Sequence, residues 1–516
     1  MSKSFFAFGL AIGLSACAAA ATADDAETWA ARIDERLSRR QESLGIMPAP
    51  TVDDARFLRR VTLDLIGRIP TVAETRDYLA DESADKARRL VRRLIASPRY
   101  ARHWSTVWRR AWIPQADTPQ FAFLADETER WLADQLQCRT PHDAIVRRLF
   151  EVARIDDPTK ASGLQTPRAL LIAGESKPEN LAANATRAFL GLNLDCAQCH
   201  DHPFARWTRD EFWQTAAFFT VPDERKDAAT LEITIPETEC VVAARYLDGR
   251  PWQPPAKLRP ETGRVLLSRW ITARDNPYFA RHAVNTVWCQ LFGVGLVEPF
   301  DDLARDDPQG DPEHLVVLAR EAIAADLDLA RLIEACVLTG AYRRDTSGLR
   351  PAADREVSPD DERFAFAQMP LRAMSGEQLF DSLRTAAGMS AVRDDLSRRE
   401  TGVARREFAA TFHIDRAESA ARSVLQSLAL MNGAETAAAV EAAAGPLVIA
   451  VAEGPFANSA ERAETLFLAA FNRLPDAEER RIVGEYFDGA PAAERRRRTA
   501  DVLWSLVNTA EFSTNH

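Results

Sequence analysis

Phe57-Leu58-Arg59-Arg60-Val61-Thr62-Leu63-Asp64-Leu65-Ile66-Gly67-Arg68-Ile69-Pro70-Thr71 sets a pattern that the rest of the chain repeats. Phe57, Leu58, Val61 and Leu65 recur at helical spacing, and Gly67 and Pro70 stop the segment. Thr71-Val72-Ala73-Glu74 is then a capping box, whose two polar side chains satisfy backbone amides at the start of a second, short helix. Leu90, Val91, Leu94 and Ile95 form another apolar stripe. Ser97-Pro98 reads as an N-cap and first helical residue, for a helix carrying Trp104, Val107, Trp108 and Trp112. At helical spacing these side chains are expected in a core; the competing reading is that they flank a cofactor.

Further along, Glu179 to Leu190 is an alanine-rich helical stretch closed by Gly191. Thr208-Arg209-Asp210-Glu211 is a second capping box, opening a helix with Phe212, Trp213, Phe218 and Phe219. The pattern changes between about 221 and 260. Thr230-Leu231-Glu232-Ile233-Thr234-Ile235 alternates with period two, Cys240-Val241-Val242 is β-prone, and Pro251, Pro254, Pro255 and Pro260 follow. Helical periodicity resumes at Thr262 and runs to the C-terminus, with loops around Asp306 to Pro312 and Asp345 to Asp361. The alanine-rich stretch from Ala434 to Ala444 carries good helix formers and is read as helix, not disorder. The expected fold is mainly α: a multi-helical two-domain protein with domains at 28–220 and 262–513, joined by a small β-containing linker at 221–261.

Between the two helices that end at Gly191 and begin at Thr208 stands Cys196-Ala197-Gln198-Cys199-His200. Cys-x-x-Cys-His is the attachment sequence of c-type haem: the two thiols add across the vinyl groups, and the adjacent histidine becomes an axial ligand of the iron. With seven cysteines and eight histidines in 516 residues, a chance match anywhere is on the order of one in a thousand. Cys196 and Cys199 are therefore the expected thioether positions, His200 the expected iron ligand, and one covalent haem c the expected cofactor. His202 follows too closely to serve as the opposite axial ligand, and is assigned instead to a propionate or to orienting the loop. Phe204, Trp207 and the aromatic residues of the following helix are candidates to wall a porphyrin, with ordinary helix packing as the alternative. For the sixth ligand Met369, Met374, Met389, Met431, His103, His282 and His413 are available, and no local pattern selects one.

The start of the chain agrees with an oxidising compartment. Lys3 supplies a positive n-region, Phe5 to Leu14 an apolar h-region too short to span a bilayer, and small residues follow. Two cleavage readings compete: Ala21-Thr22-Ala23 before Asp24, giving a signal peptide at 1–23, or the lipobox Leu14-Ser15-Ala16-Cys17, giving a lipoprotein leader at 1–16 with Cys17 lipidated. Either way the mature protein is exported to the periplasm or cell surface, with the lipid anchor its one route to the membrane. A net charge of −11, with arginines interspersed among acids along the helices, argues for a solvated surface and against a nucleic-acid partner. The isolated spacings of Cys138, Cys240, Cys289 and Cys336 fit buried thiols or disulfides better than a metal cluster. A glycine-rich phosphate loop, a nucleophile elbow and a His-Glu-x-x-His motif are all missing from the sequence.

The stretch from Phe57 to Thr71, with Cys196-Ala197-Gln198-Cys199-His200-Asp201-His202-Pro203-Phe204, resembles the planctomycete cytochrome c-like domain of unknown function. Asn276-Pro277-Tyr278-Phe279-Ala280-Arg281, Val284-Asn285, Trp288, Leu291-Phe292-Gly293, Gly295-Leu296-Val297-Glu298-Pro299 and Asp301-Asp302 are similar to the planctomycete surface domain usually found C-terminal to it. So are Leu338-Thr339-Gly340-Ala341-Tyr342-Arg343 and the ending from Leu503 to Phe512. The resemblance implies an exported, surface-associated protein. Because genes of this kind commonly lie beside one for an exported sulfatase-like protein, it also implies such a partner in polymer or sulfated-glycan breakdown. One departure stands out: where the family often has Ser-His-Pro-Glu, this chain has Gly310-Asp311-Pro312-Glu313, with His314 the nearest substitute for the missing histidine.

Two functional readings follow. In the first, the chain is an exported electron-transfer protein carrying c-type haem and engaging a redox or surface partner. In the second, it is a non-redox scaffold or glycan-associated binding protein, whose Cys196, Cys199, His200 and His202, with Asp195 and Asp201 nearby, hold structural zinc or iron or close a disulfide. Asn285, Trp288, Asp301 and Asp302 are a further candidate site through their carboxylate pair, against a reading as helix cap and solvated loop.

Overall fold

The computed structural model describes residues 26–151, 168–221, 230–253, 255, 259–303, 305, 308–351, 357–389, 399–412 and 423–516. Both leader readings, Cys17 and His413 lie outside the described residues. The chain is mainly α-helical, and strands among the described residues form only two-stranded antiparallel sheets. Glu232–Thr234 pairs with Val241–Ala243 as the hairpin of the expected linker. Ile46–Met47 pairs with Arg350–Pro351, and Arg372–Ala373 with Thr514–Asn515, so these short ladders stitch together segments distant in sequence.

The opening stretch forms the helix Asp54–Ile66. Asp53 caps it by accepting from the Arg56 amide at 2.8 Å. Gly67 ends it in the left-handed region at φ 72°, where a Cβ would also lie 2.6 Å from Nδ1 of His103, so glycine is required twice over. Thr71 opens Val72–Ala80 with both halves of the capping box formed. Ser97 and Pro98 start Pro98–Trp112 as expected, and Trp104, Trp108 and Trp112 are core residues.

Every residue from Phe57 to Ile66 is buried. Phe57, Leu58, Val61 and Leu65 belong to a core that gathers residues from Ala26 to Met369. Leu63, with Ile69 beyond the helix, belongs to a second core built from Met374 to Phe512. A helix apolar on two faces is a buried one, set between cores. The larger core takes in residues of both sequence blocks and of the segment between them, among them Leu231, Ile235, Ala244 and Leu247, while the second gathers residues mostly from Met374 onward.

The interspersed charges of this helix are not a solvated face, as the sequence reading expected. Asp64, 1 % exposed, accepts from Tyr342 Oη at 2.6 Å, Arg372 Nη2 at 2.7 Å and Asn515 Nδ2 at 2.9 Å. Arg59 donates to the carbonyls of Ala470 at 3.0 Å and Phe512 at 2.8 Å and to Asn472 Oδ1 at 2.9 Å. Arg60 donates to the carbonyls of Tyr342 and Arg344. Burial lowers both guanidinium pKa values to about 10, which leaves them charged at neutral pH, and pushes the Tyr342 phenol well above its ordinary value. Removing one partner from such a network leaves the others desolvated and unpaired.

The cysteine pattern resolves toward thiols: none of Cys138, Cys196, Cys199, Cys240, Cys289 and Cys336 is in a disulfide. Cys336 is buried, and burial raises its pKa. Among the described residues no helix is long and apolar enough to cross a membrane.

Asp64→Asn, which keeps the side-chain shape and removes the charge facing Arg372, is expected to lower stability by about 3–5 kcal/mol, read from the urea midpoint at pH 7; a loss below about 1 kcal/mol would mean that the pair is effectively solvated. Stability is also expected to fall steeply with acid. Burial depresses the pKa of His103, His282 and His314 to about 4 and that of His142 to about 3. These folded values lie below the unfolded value of 6.5, so the unfolded chain binds protons first. The contribution is complete above pH 6.5 and is lost as pH falls through 4 and 3, at a limiting slope of about 1.4 kcal/mol per pH unit for each histidine. Thermal unfolding at pH 7, 6 and 5 checks this.

Candidate functional site

The helix Pro178–Leu190 stops at Gly191, φ 61°, and the helix Arg209–Ala216 starts at Thr208, whose capping box with Glu211 is complete. Both stops were legible in the sequence. Between them the motif winds into a short 3₁₀ turn, Asp195–Gln198. Cys196 lies within the turn and Cys199 caps it, its amide donating to Cys196 O at 3.4 Å. Ala197 is fully buried. The turn is fastened to the core by the Ala197 amide, which donates to Leu194 O at 2.9 Å, and by Trp213 Nε1, which donates to Gln198 O at 3.0 Å. Cys196, Cys199 and His200 are left exposed.

The two histidines take opposite tautomers. His200 Nδ1 is 2.8 Å from the backbone oxygen of Asp201. A carbonyl only accepts, so Nδ1 carries the proton and the lone pair lies on Nε2. His202 Nδ1 faces the Phe204 amide at 3.2 Å. An amide N–H only donates, so the neutral His202 ring keeps its proton on Nε2. His202 is further tied through its own amide, which donates to Trp207 O at 2.8 Å.

This donor set fits a covalently attached c-type haem. Two exposed free thiols stand at a short turn and its cap, and the next residue presents an imidazole with a bare Nε2, its other nitrogen occupied by a carbonyl as metal-ligating histidines commonly have it. Cys196 and Cys199 would hold the group through their sulfurs and His200 through Nε2. Around the alternative zinc or iron set of Cys196, Cys199, His200 and His202, several neighbouring groups already have partners. Asp201 Oδ1 is engaged by the Arg209 amide at 2.9 Å, Asp195 pairs with Arg187, and His202 Nδ1 receives an amide hydrogen. Among the described residues no three His, Cys, Asp or Glu side chains are grouped to hold an ion.

Of the aromatic residues expected to wall a porphyrin, only Phe204 stands exposed, at 59 %. Trp207, Phe212, Trp213, Phe218 and Phe219 pack into the larger core, so for them the helix-packing reading holds. Of the sixth-ligand candidates, Met369 and Met374 lie within the two cores, His103 is buried against Gly67 and His282 against Gly191. Met431 is exposed on the helix Val424–Asn432, and Met389 packs on the second core.

Asn285 and Trp288 do not join Asp301 and Asp302 in a site. Asn285 is fully buried and clamps Val297 through both backbone atoms, at 2.8 and 3.2 Å. Trp288 stacks on Phe292 at 4.2 Å between ring centroids. Asp302 accepts from the Asn193 amide at 3.5 Å, and burial raises its pKa. Asp311 serves as N-cap of Pro312–Ala324. His314 is buried edge-on to Trp288, where it is no surface substitute for the histidine absent at position 311.

Two family models match the chain in tandem: PSCyt2, a protein of unknown function (DUF1549), over residues 32–224, and PSD1, a protein of unknown function (DUF1553), over residues 263–403. Searches of curated proteins and of solved structures found no match. With its cytochrome-like segment followed directly by its surface-type segment, the chain belongs to the planctomycete two-domain family in which PSCyt2 precedes PSD1.

Proposed function

We propose that this chain is an exported c-type haem-binding protein acting in electron transfer at the periplasmic or outer cell surface, linked to a partner protein or to polymer breakdown. The observation that carries the reading is the contact between His200 Nδ1 and the Asp201 carbonyl at 2.8 Å, which leaves Nε2 bare beside two free thiols. When bound, haem supplies one-electron exchange. Cys196 and Cys199 would hold the group through their sulfurs. His200 would hold the iron through Nε2, its imidazole oriented by the Asp201 carbonyl. His202, with its proton on Nε2, is placed to donate to a propionate or to hold the loop. The leader reading supports export, because covalent haem attachment and the family's surface association both belong outside the cytoplasm.

A second reading, the scaffold or glycan-associated binding protein, is favoured by a surface unrelated to redox chemistry. The helix Val424–Asn432 leaves Val424, Leu425, Leu428 and Met431 exposed, the kind of apolar face that protein partners cover. An exported sulfatase-like protein is the partner to try first on either reading.

Export in a host competent for c-type maturation should give a chain with a c-type α-band in its pyridine haemochrome spectrum and the added mass of one haem, both abolished by Cys196→Ala with Cys199→Ala. A colourless chain of unmodified mass, in a host where a control cytochrome matures, overturns the haem reading and leaves the second standing.

A further inference from the structure

The turn that carries the motif belongs to the PSCyt2 segment, but both of its flanks are held by residues of the PSD1 segment. On the N-terminal flank, Leu303 N donates to Gly191 O at 2.7 Å. Gly191 lies so close to His282 that a Cβ there would meet its Nδ1 at 2.6 Å. Two residues on, the Asn193 amide reaches Asp302 Oδ1 at 3.5 Å, and Asn193 Oδ1 accepts from the Asp195 amide at 3.4 Å, at the first residue of the turn. On the C-terminal flank, the Arg305 guanidinium lies 5.6 Å from the ring centroid of Phe204. Arg206 Nη2 donates to Tyr278 Oη at 3.4 Å, and the Trp207 and Tyr278 rings meet edge to face at 6.2 Å. Trp207 in turn accepts the His202 amide. Contacts from one segment therefore bracket residues 191–207 of the other, with a carboxylate at one flank and a guanidinium at the other.

We propose that Asp302, Leu303 and Arg305 are positioning residues for the Cys196–His200 turn, so that the site is assembled from both family segments and not from the cytochrome-like segment alone. For its redox arm this rests on the haem reading; its geometric arm does not. Isolated hydrogen bonds to a surface turn lower its local opening, and their loss is felt there first. The two charges act on any attached redox centre in opposite senses. A carboxylate disfavours the reduced, more negative state and a guanidinium favours it.

The test uses the full-length chain with Asp302→Asn and Arg305→Gln as separate variants, and Asp302→Ala with Arg305→Ala as the double variant, since an asparagine Oδ1 would still accept from the Asn193 amide. Both side chains are only half-buried; Asp302→Asn keeps the side-chain size, and Arg305→Gln shortens it while removing the charge. In the haem-free chain, hydrogen exchange followed by mass spectrometry should accelerate by about tenfold across 191–207 in the double variant, with peptides from the second core unchanged. In the haem-loaded chain the reduction potential should rise with Asp302→Asn and fall with Arg305→Gln. Unchanged exchange across 191–207, exchange that rises equally everywhere, or potentials that move in the same direction overturn the proposal. A chain that matures without haem but shows the local exchange increase overturns the haem reading while upholding the positioning role.

Discussion

A carboxylate buried beyond the reach of water has to be matched, and Asp64 is matched by three residues that no local structure could bring to it. Tyr342, Arg372 and Asn515 converge on its two oxygens, while Arg59 and Arg60, on the same helix, tie down carbonyls at 342, 344, 470 and 512. The helix Asp54–Ile66 is thus pinned by apolar contacts with both cores and by charge to the returning C-terminus. Hydrophobic burial would tolerate sliding of these elements; a buried ion pair with specified hydrogen bonds does not. The short ladder between Arg372–Ala373 and Thr514–Asn515 uses two residues of the same junction, Arg372 and Asn515, so the chain end is registered against the helix by backbone and side chain at once.

The candidate site is built on a different principle. It lies at the surface, in a gap between two helix ends, and its shape comes from local geometry. A short 3₁₀ turn carries Cys196 and is capped by Cys199, a buried alanine anchors it, and a carbonyl sets the histidine tautomer. What the cores contribute is rigidity at the two ends of the gap: Trp213 below the turn, and Gly191 closing the preceding helix against His282. This division suits the proposed role, in which a bulky cofactor would have to reach the turn while its supports stay fixed.

Much of this was legible in the sequence because it is local. Thr71, Ser97 and Thr208 announced helix starts, Gly67 and Gly191 announced ends, and alternation at 230–235 announced the one hairpin in the linker. The tryptophan stripe of Pro98–Trp112 was correctly read as core. The charges of the first helix were misread as solvated because their partners lie hundreds of positions away, Asn515 being 451 residues from Asp64, and periodicity carries no information at that range. One signal was available: Leu63 falls off the Phe57, Val61 and Leu65 stripe, and a second apolar face marks a helix buried on both sides. Trp207, Phe212 and Trp213 looked like cofactor walls because they are near the motif in sequence, yet the helix Arg209–Ala216 turns Phe212 and Trp213 inward and Trp207, ahead of it, is buried against Tyr278. The two histidine tautomers depend on which backbone groups the turn presents, and spacing alone does not encode that.

On the haem reading, Cys196, Cys199 and His200 form one cofactor site, with the His200 imidazole committed through Nε2. The most direct measurement is a quantitative electron paramagnetic resonance spectrum of the oxidised, exported full-length chain and of His200→Ala. The account predicts one ferric haem spin per chain with axial imidazole character, lost or converted to a different spin state in the variant. A matured chain with no haem spin, or with a spectrum identical in His200→Ala, would contradict it.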